Sequence, residues 1–226
     1  MTPLLLLHGA IGSADHFEPL IKHLSSYDVH AINFYGHGGE PGDGPFSIEG
    51  FATQVASFIN NKNITPVNIF GYSMGGYVAM YMARHLDIKI EKIITLGTKF
   101  QWNEAIAEKE CEMLQPEIIE NKLPAFAQSL AQRHGDAHWK TVLHKTAEML
   151  QQMGKQNPLN TEDYTQINIP SLIMLGDKDK MVTREETITT FQSLPNAQLA
   201  ILPGTPHPLE QADSSLLAFH IKRFIN

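Results

Sequence analysis

The stretch NIFGYSMGGYVAM, residues 68–80, opens as a short apolar run, bends, and continues in a helical pattern. Three glycines and Ser73 fall within the six residues 71–76. A serine on a tight strand-to-helix bend requires this arrangement. The bend holds the serine backbone in a strained conformation, and a side chain two places before or after it would strike the neighbouring strand or helix. Gly71 and Gly75 remove those side chains, so the Ser73 hydroxyl is predicted to project beyond the sheet. The N-terminus of the following helix favours negative charge nearby. The pattern G-x-S-x-G is short, and its weight comes from standing after a buried strand and before a helix.

Other apolar runs repeat the first half of that pattern. They are PLLLL (3–7), VHAIN (29–33), VNIF (67–70), KIITL (92–96), SLIML (171–175) and QLAIL (198–202). Each is short and continuous, as expected for parallel strands buried on both faces. Helical patterns lie between them, for example over 47–61 and 76–86, and a last one covers 212–225. In that last segment Leu216, Leu217, His220, Ile221 and Phe224 form one face. The alternation predicts an α/β fold, a mostly parallel, doubly wound sheet of about six strands.

One interval breaks the rhythm. Over 101–168 no strand pattern occurs. Trp139, Val142, Leu143, Thr146, Met149, Leu150 and Met153 follow helical spacing, and Ile119, Leu123, Phe126 and Leu130 suggest a further helix with a break or first turn at Pro124. A chain that leaves a sheet and returns usually covers one end of it. The expected organisation is therefore a core of 1–100 and 169–226, with a helical lid over 101–168.

Composition narrows the function. The 226 residues are 42% hydrophobic and 18% charged, too apolar for disorder. A net charge of -7 without a Lys/Arg cluster argues against a nucleic-acid partner. Cys111 is the single cysteine and lies in a helical-looking segment, so neither a disulfide framework nor a thiolate metal site is expected. No run reaches the roughly 18 apolar residues of a membrane span. PLLLLHG is too short for a signal peptide and no basic residue precedes it, so a cytoplasmic location is expected.

A serine hydroxyl is a weak nucleophile and needs a base, which an acid must orient. SLIMLGDKDKMV ends a predicted strand at Gly176 and offers Asp177 and Asp179. ILPGTPHPLEQ ends another near Leu202 and offers His207 between Pro206 and Pro208. The order Ser, Asp, His is present, with each member just past a strand. Among the other histidines, His8 is expected to brace the turn after the first strand and His37 the Gly36–Gly39 loop. His134, Asp136 and His138 are not expected to bind a metal, because Gly135 interrupts their spacing.

With HGAIGS (8–13), YGHGGEP (35–41), GYSMGG (71–76), GDKDKMV (176–182) and the His207 loop, the chain resembles the α/β-hydrolase superfamily over essentially its full length. The resemblance implies Ser73 as nucleophile, His207 as general base and acid, and Asp179 rather than Asp177 as the orienting acid. It implies an oxyanion hole of the Ala10 and Met74 N–H groups, with Ile11 adjacent. Ile11, Tyr72, Phe126 and Trp139 are the candidate pocket residues, an inward-facing lid giving an apolar, adaptable pocket.

The chain also departs from the pattern. It begins directly at the His-Gly strand, without the one or two strands that usually precede it, so an exposed edge or one covered by a homodimer partner is expected. Asn33 stands where relatives often have Asp, and Glu210 follows His207 by three residues rather than five. The expected activity is hydrolysis of a small ester or related acyl compound through an acyl-enzyme, with a small-molecule substrate and no cofactor, metal, nucleic acid or membrane. A lyase of the kind used in menaquinone synthesis, which GHGGEPGDGPFSIEGFATQV also resembles, or a carbon–carbon hydrolase would use the same Ser–His pair. Tyr77 stands where those lyases often carry Arg. A non-catalytic small-molecule receptor on the same scaffold is the third reading.

Overall fold

A computed structural model describes Met1–Asn226. The first strand, β1 (Thr2–Leu7), leads through a 3-10 turn at Ala14–Phe17 and a short helix α1 (Glu18–Ile21) to β2 (Tyr27–Ile32). Helix α2 (Ile48–Lys62), strand β3 (Val67–Tyr72), helix α3 (Met74–His85) and strand β4 (Ile90–Leu96) follow. Five helices then intervene: α4 (Glu104–Glu112), α5 (Pro116–Lys122), α6 (Pro124–His134), α7 (Trp139–Lys155) and α8 (Thr161–Thr165). The chain returns to the sheet as β5 (Ser171–Gly176), helix α9 (Arg184–Ser193), β6 (Ala197–Leu202), a 3-10 turn at Leu209–Gln211 and helix α10 (Ser214–Ile225).

The six strands form one sheet in the order β2-β1-β3-β4-β5-β6, and all neighbours are parallel. The leucine run of β1 shows why continuous apolar runs mark such strands. Successive side chains point to opposite faces. Leu5 and Leu7 enter a core shared with α2, α3 and the inserted helices, whereas Leu4 and Leu6 enter a second core shared with α1 and α10. All four are fully buried, and each such burial stabilises by about 1.5–3 kcal/mol. The edge strands β2 and β6 are only half-covered, which is why Asp28, His30 and Gln198 are accommodated there.

After β2 the chain crosses back over β1 to lay down β3 on its other side. Strand order therefore reverses between β1 and β3. In open parallel sheets, ligands bind beyond the carboxyl ends of the strands at such a reversal. The Leu7–Gly12 loop and the Tyr72–Met74 bend both leave the sheet at that place.

The predicted strands and helices are present with ends shifted by a few residues. Pro124 stands at the first turn of α6, one of the two expected places, since its missing N–H costs nothing at the first helical position. In α10 the fully covered residues are Leu217, Ala218 and Ile221, while Leu216, His220 and Phe224 flank them half-buried. The segment 101–168 contains no strand. No helix is long and apolar enough to cross a membrane.

Candidate active site

Ser73 caps α3 with φ 51 and ψ -118, a left-handed backbone that a non-glycine residue adopts only under constraint. The flanking sequence imposes it. A Cβ on Gly75 would stand 2.1 Å from the Leu7 carbonyl oxygen, and one on Gly71 would stand 2.4 Å from the Gly76 Cα. Only glycine allows α3 to start this close to β1 and β3. The bend is anchored to the end of β4. The Ser73 N–H donates to the Leu96 carbonyl at 2.9 Å, and the Thr98 hydroxyl donates to the Ser73 carbonyl at 3.0 Å.

The residue between those anchors, Gly97 (φ +60), lies against two further residues singled out in the sequence, Asp179 and His207. A Cβ there would lie 3.2 Å from Asp179 Oδ2 and 3.3 Å from His207 Nδ1. Asp179 and His207, 28 residues apart, are joined by an Nδ1–H···Oδ2 bond of 2.7 Å. The geometry also separates the two aspartates after β5. Asp179 Oδ1 accepts the Met181 and Val182 N–H groups at 2.8 and 2.9 Å, whereas Asp177 Oδ1 accepts the Thr205 N–H at 3.2 Å. Asp177 supports the histidine loop from behind. Burial by itself would raise the Asp179 carboxyl, but the His207 bond, its charge and the two N–H groups outweigh it, and the group is held below the usual carboxylate value. With Nδ1–H directed at Asp179, Nε2 of His207 carries the free lone pair.

Tyr72, beside Ser73, donates its hydroxyl to the His207 carbonyl at 2.9 Å and so ties the two loops together. Opposite them runs the Gly9–Gly12 turn. A Cβ on Gly9 would come within 3.1 Å of the Ser73 Cβ. The turn closes through Gly12 N–H to the Gly9 carbonyl at 3.1 Å, and no backbone hydrogen bond uses the Ala10 N–H. The Met74 N–H belongs to the first turn of α3, where N–H groups lack intrahelical partners. His8 is fully buried, with Nδ1 on the Gly9 carbonyl at 2.7 Å and Nε2 accepting from the Phe34 N–H at 3.1 Å. Burial holds it well below its ordinary value, with the neighbouring His37 adding to the effect. His37 donates from Nδ1 to the Tyr35 carbonyl at 3.1 Å.

The candidate pocket residues divide. Ile11 and Tyr72 are bound into this network. Phe126 and Trp139 are not: Phe126 is 37% exposed and Trp139 packs inside the larger core. Tyr77 is likewise a core residue, its hydroxyl shared between Asn157 and the Leu159 N–H. His134 is engaged with the Ile11 carbonyl and the Gly38 N–H rather than with Asp136 or His138. Gly97, Thr98 and Arg133 help to build the site without a sequence signal. Arg133 comes from α6 and donates to the Ile11 carbonyl at 2.9 Å.

The model of the alpha/beta hydrolase fold family matches residues 2–157, more than half of the chain. The chain belongs to the alpha/beta hydrolase fold family. Two curated members are similar to this hydrolase-fold chain. One is a pimeloyl-[acyl-carrier protein] methyl ester esterase of Neisseria meningitidis (strain FAM18), 40% identical over 84 residues, which are 36% of this chain and 31% of that enzyme. The match thus spans under a third of that relative's length. The other is lipase 3 of Moraxella sp. (strain TA144), 23% identical over 93% of this chain and 73% of that one. Among solved structures, MenH from S. aureus superposes with a TM-score of 0.80 at 21% identity, covering 99% of this chain and 93% of the other. At that identity the likeness is one of fold.

Proposed function

We propose that the chain is a serine hydrolase acting on a small ester or related acyl compound. Ser73 Oγ attacks the carbonyl carbon while His207 Nε2 takes the hydroxyl proton. The N–H groups of Ala10 and Met74 receive the oxyanion. Collapse expels the alcohol, which takes the proton from His207, and leaves an acyl-Ser73 ester. Water then gives a proton to His207 and adds to the acyl carbon. The second collapse releases the acid and returns the proton to Ser73.

The observation that carries this reading is the convergence on residues 96–98. The strained Ser73 is hydrogen-bonded to both sides of Gly97, and the His207–Asp179 pair lies against Gly97 itself. A merely structural glycine-rich turn has no need of a buried carboxylate–imidazole pair at the same point. Esterase and lipase relatives support the same reaction class. No observation favours the lyase reading over it, since Tyr77 is committed to the core and Arg133 to the Ile11 carbonyl.

The test is turnover of p-nitrophenyl acetate by the full chain and by Ser73→Ala. The variant is expected to keep its circular dichroism and lose kcat/KM by about 10⁴-fold or more. Equal turnover by the two proteins would remove Ser73 from the mechanism.

A further inference from the structure

Ile11 is the third residue of the Gly9–Gly12 turn, and its φ is +53. That position of such a turn usually takes glycine or asparagine, because only they tolerate the left-handed backbone without strain. A β-branched residue there is an outlier and persists only if its surroundings hold it. Its surroundings include α6. Arg133 Nη1 and His134 Nε2 both donate to the Ile11 carbonyl, at 2.9 and 3.0 Å, and so occupy both of its lone pairs.

The hold is a closed circuit. His134 accepts the Gly38 N–H at Nδ1 (3.1 Å), which directs the Nε2 proton to Ile11. The Gly38 carbonyl accepts from Asn33 Nδ2 at 3.1 Å, and Asn33 Oδ1 accepts the Ala14 N–H at 2.7 Å, just past the turn. Asn33, which stands where relatives often have Asp, thus needs its amide: one end accepts and the other donates. Arg133 also lies 3.6 Å from Glu210 on the histidine loop, but that carboxylate is half-exposed and the pair contributes little. His16, His37 and Arg133 face His134, and burial chiefly, helped by Arg133 and His16, pushes His134 down to about 4. It is therefore neutral, with the proton on the nitrogen that Ile11 uses.

We propose that Arg133 and His134 are positioning residues: by clamping the Ile11 carbonyl, α6 holds the strained turn that aims the Ala10 N–H at the oxyanion. This rests on the serine-hydrolase reading. It assigns the inserted helices a part in completing the reaction centre.

The test uses Arg133→Met, which keeps the apolar stem and deletes the donors, Arg133→Lys, which keeps one donor, and Arg133→Met in an Ile11→Gly background. On p-nitrophenyl acetate, Arg133→Met is expected to lower kcat about tenfold or more with KM within about twofold. Arg133→Lys should recover much of that loss. In the Ile11→Gly background the same substitution should cost markedly less, because glycine holds the turn without help. The ¹³Cα shift of Ile11, which reports its backbone conformation, should move in Arg133→Met and stay in place in Ser73→Ala.

Unchanged kcat in Arg133→Met overturns the proposal. So does a kcat loss with the Ile11 shift unmoved, which would make Arg133 a substrate contact. An equal loss in the Ile11→Gly background overturns it as well. If the parent protein shows no Ser73-dependent turnover, the hydrolase reading fails and the proposed role falls with it. The Ile11 shift then still decides whether the clamp itself exists.

Discussion

Asp179 is buried yet charged, and the reason is local. Its two oxygens divide their work, Oδ1 taking two N–H groups and Oδ2 taking the His207 ring. Replacing one oxygen by an amide changes the sign of that contact, since an NH₂ would face the Nδ1–H. Asp179→Asn should therefore turn the imidazole to the wrong tautomer and lower kcat by about 10³–10⁴-fold while the fold persists. Stopped turnover alone would not establish this; retention of the thermal unfolding midpoint to within a few degrees, measured beside kcat, would. A residual rate close to the parent's would show that His207 does not depend on Asp179. The sequence offered Asp177 and Asp179 two positions apart. Resemblance selected Asp179, and the structure shows the physical difference: Asp177 turns towards the Thr205 N–H.

At the scale of elements, α9 shows what periodicity cannot reveal. Its covered face is Glu186, Thr187 and Thr190, not an apolar stripe, and threonines are weak helix formers. The helix is started instead by a capping box. Thr183 Oγ1 accepts the Glu186 N–H at 3.1 Å, and Glu186 Oε2 accepts the Thr183 N–H at 3.2 Å. The T-R-E-E sequence at 183–186 was the available signal. Glu186 has a second task, because its Oε1 accepts the Phe100 N–H at 3.1 Å. Thr183→Ala should thus cost about 1 kcal/mol. Glu186→Ala should cost more, about 2–3 kcal/mol, by leaving a buried N–H without a partner. Urea unfolding of the two variants ranks them, and equal losses would mean that the Phe100 bond carries no weight. The inserted helices differ from α9. Their apolar spacing was readable, and α7 buries Trp139, Val142, Leu143, Thr146, Met149, Leu150 and Met153 as that spacing predicts.

For the molecule as a whole, the buried histidines set the response to acid. Burial holds His8 well below its ordinary value, pushes His37 down to about 3 and pushes His134 down to about 4. In the unfolded chain each would titrate near 6.5. Below that value the unfolded state binds more protons, so stability falls as pH falls from about 6.5 towards 4. The slope approaches about 1.4 kcal/mol per pH unit for each histidine that stays neutral in the fold. Asp179 acts later, and in the same direction. Its depressed value contributes stability that is present above the ordinary aspartate range and is lost as pH falls through the folded value. The urea midpoint should therefore drop clearly between pH 7 and pH 5. A midpoint that stays level across that interval would contradict the neutral buried state of these rings.

The choice of Asp179 over Asp177 came from the family resemblance, while local sequence determined the strands, the site of the serine bend and the order serine, aspartate, histidine just past three strands. These depend on residues within a few positions of one another, where steric exclusion and side-chain periodicity act directly. A glycine is needed at 75 because a Cβ would meet the Leu7 carbonyl, and the motif announces that need without any structure. The grip of Arg133 and His134 on Ile11, 122 and 123 positions away in the chain, was decided by tertiary structure alone. So was the exposure of Phe126. A hydrogen bond to a carbonyl selects no residue type at the accepting end, and an arginine on a helix looks the same whether it faces solvent or a distant turn. Only the placement of the end of α6 against the Gly9–Gly12 turn distinguishes the two.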